Sequence, residues 1–170
     1  MRWMPFAIVA IMILICQTTI VQVMAIQSVR PNWMFVLAIY YALWGAWPDA
    51  AIAAWLLGLA VDLTSLGNGG RLGLYAFSFG AAAWAIIKIR SVFFRDHAVT
   101  QFAVTLVFSL AVELVVQGYR HWSVFGAMPE SRVWASAFFT AVYTAVCAPY
   151  LHWVLFRMRG WTGVRPAARF

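Results

Sequence analysis

The sequence predicts an all-α, polytopic membrane protein with six transmembrane helices. Of its 170 residues, 65% are hydrophobic and only 10% are charged, whereas a soluble domain is about half apolar and a quarter charged. The chain length accommodates about six spans of roughly 20 residues with short connections. Many of the ten tryptophans lie near the ends of the apolar runs, as in interfacial aromatic belts. We therefore expect one transmembrane domain over residues 1–170.

Six apolar runs, separated by turn-forming or charged segments, define the predicted helices. Pro31 and Pro48 stand where the second and third helices begin, a position that favours proline. Gly67-Asn68-Gly69-Gly70 separates the third from the fourth. The second helix is short, so we expect it to be tilted or partly re-entrant. The predicted bounds are Trp3–Ile26, Asn32–Trp47, Asp49–Leu66, Leu72–Ile89, Ala98–Tyr119 and Arg132–Phe156.

The first apolar run begins after Arg2 and contains Val23-Met24-Ala25, which loosely resembles a signal-peptide cleavage site. The run is longer than the 7–15 residues of a typical signal-peptide core, so we interpret it as a retained helix. It carries Gln17, Thr18, Thr19 and Gln22. Hydrogen bonds between membrane helices contribute about 0.6 kcal/mol on average, so these side chains predict helix packing more than a transport pathway.

The distribution of basic residues predicts the orientation. With six spans, the side of the two termini carries eight lysines and arginines, including Lys88, Arg90 and Arg95, and the opposite side carries four. The positive-inside rule then puts both termini in the cytoplasm. The net charge of +7 is thereby explained by topology and by anionic lipid headgroups, and nucleic acid is not an expected partner.

Asp62 is the most informative single residue, because it lies in an otherwise apolar helix. Ala50, Ala54 and Gly58 precede it at steps of four, so the four residues share one helix face. Small residues let another helix approach closely in lipid. An acid at the end of such a face is costly within a membrane and needs a partner.

The predicted topology brings further charged residues close to Asp62, which lies near the outer end of the third helix. Glu113 lies at a similar depth in the fifth helix, and Arg71 and Arg120 lie on the outer side. We therefore predict an outer polar cluster of Asp62, Glu113, Arg71 and Arg120. The cluster is either a pocket or docking site open to the outside, or an interhelical ion network that fixes packing.

A second small-residue face runs through Ala137, Ala141 and Ala145 on the sixth helix and is followed by Pro149, where a kink is expected. Both small faces suit packing inside the bundle or against a partner protein. The sequence leaves the two alternatives open.

Nothing in the sequence predicts an enzyme. It has no HExxH, GxSxG or Walker motif and no cysteine–histidine metal spacing, so no catalytic, cofactor or metal residues are expected. Cys16 and Cys147 lie in apolar runs and predict small buried side chains rather than a disulfide. His97, His121 and His152 lie near span ends and are interpreted as interfacial.

Three segments resemble the rod shape-determining protein family MreD. Arg30-Pro31-Asn32-Trp33 is similar to the family's entry into an apolar helix, Gly58-Leu59-Ala60-Val61-Asp62-Leu63 to its G-x-x-x-D-L, and Arg71-Leu72-Gly73-Leu74-Tyr75-Ala76 to its x-L-G-x-x-A. The similarity covers about Arg30–Gln101, and the rest agrees in hydropathy. Asn32 departs from the acid common after the proline.

The resemblance implies a non-enzymatic protein of the bacterial inner membrane that belongs to the cell-elongation machinery. The family acts with the bitopic protein MreC, the filament protein MreB, the glycosyltransferase RodA and its partner transpeptidase in lateral peptidoglycan synthesis. It also resembles the six-helix substrate-binding component of energy-coupling-factor vitamin transporters. A transporter subunit with an outward-facing pocket is therefore the alternative. Against it, the first helix lacks an AxxxA pattern, since Ala7 is followed by Ile11 and Ala10 by Leu14.

Overall fold

The computed structural model describes residues 3–25, 29–65, 72–90, 97–123 and 131–158, which form six α-helices. Each helix coincides with a predicted one to within a few residues. Three of them, α1, α5 and α6, contain segments long and apolar enough to cross a membrane. The helices are α1 (Trp3–Val23), α2 (Trp33–Trp44), α3 (Asp49–Ser65), α4 (Leu74–Ile89), α5 (Ala98–Ser123) and α6 (Ser131–Arg157).

The short helix α2 is the centre of the fold. All its residues from Met34 to Leu43 are buried, and the other five helices pack around it. A helix that is apolar all round is expected at such a position. Its 12 residues extend only about 18 Å at 1.5 Å per residue, whereas a bilayer's hydrocarbon core is about 30 Å thick. By itself, α2 is therefore shorter than a full span.

The N-terminus of α2 is held by side chains from α1, α6 and its own cap. The Asn32 backbone N–H donates to Thr144 Oγ1 at 2.9 Å, and the Asn32 side chain accepts from the Met34 N–H at 3.1 Å. Gln17 of α1 accepts from the Trp33 N–H at 2.9 Å and donates to the Pro31 carbonyl at 3.2 Å. Because Thr144 is the middle residue of α6, α2 begins level with the middle of α6.

The C-terminal end of α2 is held by α4 and α6. Arg90, the residue that ends α4, donates from Nη1 to the carbonyls of Ala42 and Gly45. The Tyr40 hydroxyl donates to the Leu155 carbonyl of α6 at 3.4 Å. A guanidinium at this position satisfies carbonyls that a helix end leaves unpaired and complements the helix dipole. Arg90, which the sequence indicates only as a charge that orients the chain, is thus also a cap on the end of α2.

The outer helices pack around α2 mainly as two pairs, α3 with α4 and α5 with α6. The α6 residues Ala137, Ala141 and Ala145 are buried within the chain. Of the two alternatives for this face, the structure therefore shows packing inside the bundle. Contacts between α4 and α5 are sparser than those within either pair, which leaves a groove between these two helices.

Candidate functional site

Asp62 binds the N-terminus of α4. Its Oδ2 accepts hydrogen bonds from the backbone N–H groups of Gly73 at 3.0 Å and Ala76 at 2.9 Å, and its Oδ1 accepts from Tyr75 at 3.1 Å. The side chain is 1% exposed. The first N–H groups of a helix have no intrahelical acceptor, and the helix dipole favours negative charge beside them. The acid thus satisfies three donors that would otherwise be unpaired.

Gly73 explains why an acid from another helix is needed. It is the N-cap residue of α4 and has no side chain to supply a capping oxygen. Its φ of +101° lies in the left-handed region, which glycine adopts without steric cost. The chain therefore places a glycine where the backbone must turn and supplies the capping carboxylate from Asp62, 11 residues earlier.

The small-residue face before Asp62 is in contact with the rest of the bundle at both ends. A Cβ on Gly58 would lie 2.6 Å from the Tyr75 carbonyl oxygen and 2.7 Å from the Ala76 Cα, so α3 and α4 meet backbone to backbone there. At the other end, a Cβ on Gly45 would lie 2.9 Å from the Ala50 Cβ. Ala50 and Ala54 are fully buried. This face is therefore occupied by α4 and by the end of α2.

The predicted outer cluster is described only in part. Glu113 of α5 is buried, as Asp62 is, but Arg71 and the side chain of Arg120 lie outside the described residues. The cluster of the four residues therefore stays a prediction. Ser109, one helical turn before Glu113, donates to the Thr105 carbonyl of its own helix at 2.7 Å.

Buried polar residues on three helices lie at similar distances from the helix ends. At 1.5 Å per residue, Asp62 and Glu113 lie about 20 Å from the starts of α3 and α5, and Thr144 lies about 20 Å from the end of α6. Thr144 and Gln17 engage the start of α2, and Asp62 engages the start of α4. These buried polar side chains thus join the starts of α2 and α4 to the neighbouring helices.

The sequence interpretation of His152 as interfacial is wrong. The imidazole is 1% exposed and lies inside the bundle, with its ring centroid 6.0 Å from that of Tyr40. Within the described residues, neither ring nitrogen makes a hydrogen bond of normal geometry, although the Val36 backbone lies close to the imidazole. The position of His152 four residues after Ala148 and seven after Ala145, both buried, is the signal that places it on the inner face of α6.

Within the described segments, no three histidine, cysteine, aspartate or glutamate side chains come together as a potential metal site. Cys16 and Cys147 are both free thiols. The hydrogen bonds described above for the buried polar side chains join them to backbone N–H groups at helix starts and to backbone carbonyls, not to an open cavity. The arrangement is suited to holding helices in register.

Three long apolar helices around a buried central helix define a helical membrane protein. The sequence profile of the family described as rod shape-determining protein MreD matches residues 1–158. The chain belongs to the MreD family. This confirms the resemblance carried by Gly58–Leu63 and Arg71–Ala76, and it extends the match from the middle of the chain to nearly all of it. Neither the comparison with curated proteins nor that with solved structures returns a match.

Proposed function

We propose that this chain is a non-enzymatic scaffold of the bacterial cell-elongation machinery, which binds MreC and helps to control lateral peptidoglycan synthesis and cell shape. Membership of a family defined by rod-shape determination supports a cell-shape role. One structural observation carries the scaffold interpretation: the carboxylate of Asp62 is already occupied by three backbone donors of α4. An acid used in this way stabilises the fold and is not presented to a substrate.

The start of α2 supports the same conclusion. A helix N-terminus with open N–H groups is a ready site for an anionic ligand. Here the N–H groups of Trp33 and Met34 donate to Gln17 and Asn32. With the donors of α4 bound by Asp62, both internal helix starts are capped by side chains of this chain. Function then depends on surfaces that the helices present to lipid and to other proteins.

The membrane arrangement that we propose has six helices in the bacterial inner membrane with both termini in the cytoplasm. The excess of basic residues on the terminal side supports this orientation. Since α2 begins level with the middle of α6, we propose that α2 spans only part of the bilayer.

The partners that we propose are MreC, bound through its transmembrane anchor, and with it MreB, RodA and the partner transpeptidase. Both small-residue faces of the chain are buried inside the bundle, so the contact with MreC uses other helix surfaces. α1 presents a wide apolar face, with Ile8, Ile11 and Ile15 each more than half exposed. Surfaces of this kind contact lipid or a partner helix.

Transport of a small molecule, the alternative function, has less support. A transporter subunit of the vitamin-transporter type would need an outer pocket in which Asp62 contacts the ligand. The three hydrogen bonds from α4 compete with any ligand for that carboxylate. A cavity of about 270 Å³ is lined by apolar residues of α4 and α5, and Asp62 is not among them.

The scaffold proposal is tested by deletion and by affinity purification from the native host. We expect deletion of the gene to convert rods to rounded cells, and tagged protein extracted in mild detergent to recover MreC. Cells that stay rod-shaped together with preparations that lack MreC would contradict the proposal. A saturable uptake defect in the deletion strain would favour transport.

A further inference from the structure

An apolar groove runs between α4 and α5. Two neighbouring cavities of about 270 Å³ and 250 Å³ form it, and they share Ala82 and Ala111 as lining residues. Apart from Ser78, whose hydroxyl donates to the Leu74 carbonyl, the lining is hydrocarbon. The buried side chains of Ile86, Val104, Phe108 and Val112 form the floor, and exposed alanines such as Ala81 and Ala85 line its sides.

The groove differs from the other small-residue surfaces of the chain because none of the six described helices fills it. Gly58 and Ala54 meet the neighbouring helices of the bundle, and Ala141 and Ala145 are buried inside it. By contrast, Ala81 and Ala85 are exposed. A gap between packed helices forfeits dispersion contacts unless something occupies it, so the groove requires an apolar occupant from the membrane.

The length of the groove indicates what that occupant is. On α4 it extends from Ile89 to Phe77, and on α5 from Ala103 to Val115, which is about 18 Å along either helix. One leaflet contributes about 15 Å to a hydrocarbon core of about 30 Å. The groove therefore matches an acyl chain from one leaflet, and it is too short to seat a helix over a whole span.

A positive charge stands at one end of the groove. Lys88 is exposed, is adjacent to the lining residue Ile89, and has its Nζ 5.7 Å from the ring centroid of Trp84. The neighbouring base Arg90 is engaged by the carbonyls that end α2. Lysine beside tryptophan at a helix end is typical of the headgroup region, where the ammonium extends to the interface.

We propose that the α4–α5 groove binds an anionic phospholipid from the leaflet on the Lys88 side, with an acyl chain against the apolar floor and the headgroup phosphate at Lys88. Each lysine near a bilayer surface attracts anionic lipid by about 1 kcal/mol. This site is separate from the binding of MreC. Its failure in the test below would leave the scaffold proposal untouched.

The test counts lipids bound to the purified full-length chain by native mass spectrometry. Protein in detergent is incubated with equal amounts of phosphatidylglycerol and phosphatidylcholine of identical acyl chains. We expect the wild type to retain phosphatidylglycerol preferentially. Lys88→Gln should lower that preference about fivefold, the factor that 1 kcal/mol represents. Arg157→Gln, which removes an exposed base at the end of α6 outside the groove, should lower it less.

A second pair of variants tests the groove itself. Ala85→Phe places a ring in the groove and should abolish retention of both lipids, whereas Ala7→Phe adds the same ring to the exposed side of α1 and should not. Size-exclusion elution like that of the wild type shows that each variant is folded. If Ala85→Phe does not fold, Lys88→Gln still tests the proposal.

Three results would overturn the proposal. The first is equal retention of the two lipids by the wild type. The second is a Lys88→Gln variant that behaves as Arg157→Gln does. The third is efficient crosslinking of an Ala85→Cys variant to another membrane protein in native membranes, because that would assign the groove to a helix.

Discussion

The carboxylate of Asp62 accepts a hydrogen bond of 2.9 Å from the backbone N–H of Ala76, 14 residues further along the chain. Ala76 is also the residue whose Cα would lie 2.7 Å from a Cβ on Gly58. The close approach and the cap therefore belong to one junction: the absent side chain of Gly58 lets α3 reach the α4 backbone, and the acid one turn later bonds to it. This gives a physical reason for the G-x-x-x-D spacing.

Removing the acid should destabilise the protein in proportion to the acceptors lost. Asp62→Ala leaves three N–H groups without their acceptor, of which that of Ala76 is buried and those of Gly73 and Tyr75 are partly buried; a buried unsatisfied donor costs about 1–3 kcal/mol. Asp62→Asn keeps one acceptor oxygen, so we expect a smaller loss. The measurement is the thermal unfolding of both variants in detergent. Leu63→Ala, at a neighbouring exposed position, is the control, and wild-type melting of both Asp62 variants would contradict the capping role.

Adding one methyl group at the junction should be more damaging than at other helical glycines. Gly58→Ala puts a Cβ 2.6 Å from the Tyr75 carbonyl oxygen, and a backbone atom cannot move aside cheaply. Gly118→Ala on α5 meets nothing within 4 Å and should be neutral or stabilising by up to about 1 kcal/mol. Gly80→Ala makes only an ordinary contact of 3.5 Å with Trp55. Melting temperatures should rank Gly118→Ala highest and Gly58→Ala lowest, and similar values for the three would refute the close approach.

Loss of Arg90 should loosen the end of the central helix. Arg90→Ala leaves the Ala42 and Gly45 carbonyls without their guanidinium donor, and a hydrogen bond from a charged group contributes about 1.5–3 kcal/mol. Arg90→Lys should recover part of this, because an ammonium donates without the planar fork. Hydrogen exchange of the last turn of α2 is the direct measurement. We expect faster exchange in Arg90→Ala but not in Arg157→Ala. Unchanged exchange in Arg90→Ala would show that Arg90 does not hold the end of α2 and serves only to orient the chain in the membrane.

Much of the fold follows from the sequence because helices in a membrane are long apolar runs. Pro31, Pro48 and the glycines near residue 68 gave helix positions close to those observed. The partner of Asp62 could not be inferred from residue types alone, since a search for opposite charge points to arginine and overlooks backbone N–H groups. The missing side chain at Gly73, the first residue before α4, was the available signal for an acceptor supplied from elsewhere in the chain.

The sequence misplaces His152 for a different reason. Its position near the end of α6 indicates an interfacial location only if its side of the helix faces outward, and that side faces the bundle. Thr144, Ala148 and His152 follow at steps of four and are all buried. A residue near a helix end can thus be buried when its side of the helix faces the interior of the bundle. The same reasoning identifies Thr144 as an inward-facing hydroxyl before any coordinates are known.

Replacing His152 with an apolar ring should stabilise the protein. Both ring nitrogens are buried, and in the described part of the chain neither makes a hydrogen bond of normal geometry; an unsatisfied buried polar group costs about 1–3 kcal/mol. His152→Phe keeps an aromatic ring beside Tyr40, 6.0 Å away in the native chain, and removes that cost. We expect a higher melting temperature and unchanged recovery of MreC. His152→Ala is the matched control, because it also removes the nitrogens but leaves a cavity, which should lower stability. A destabilised His152→Phe variant, with the cell shape lost, would show that the imidazole makes a contact on which assembly depends.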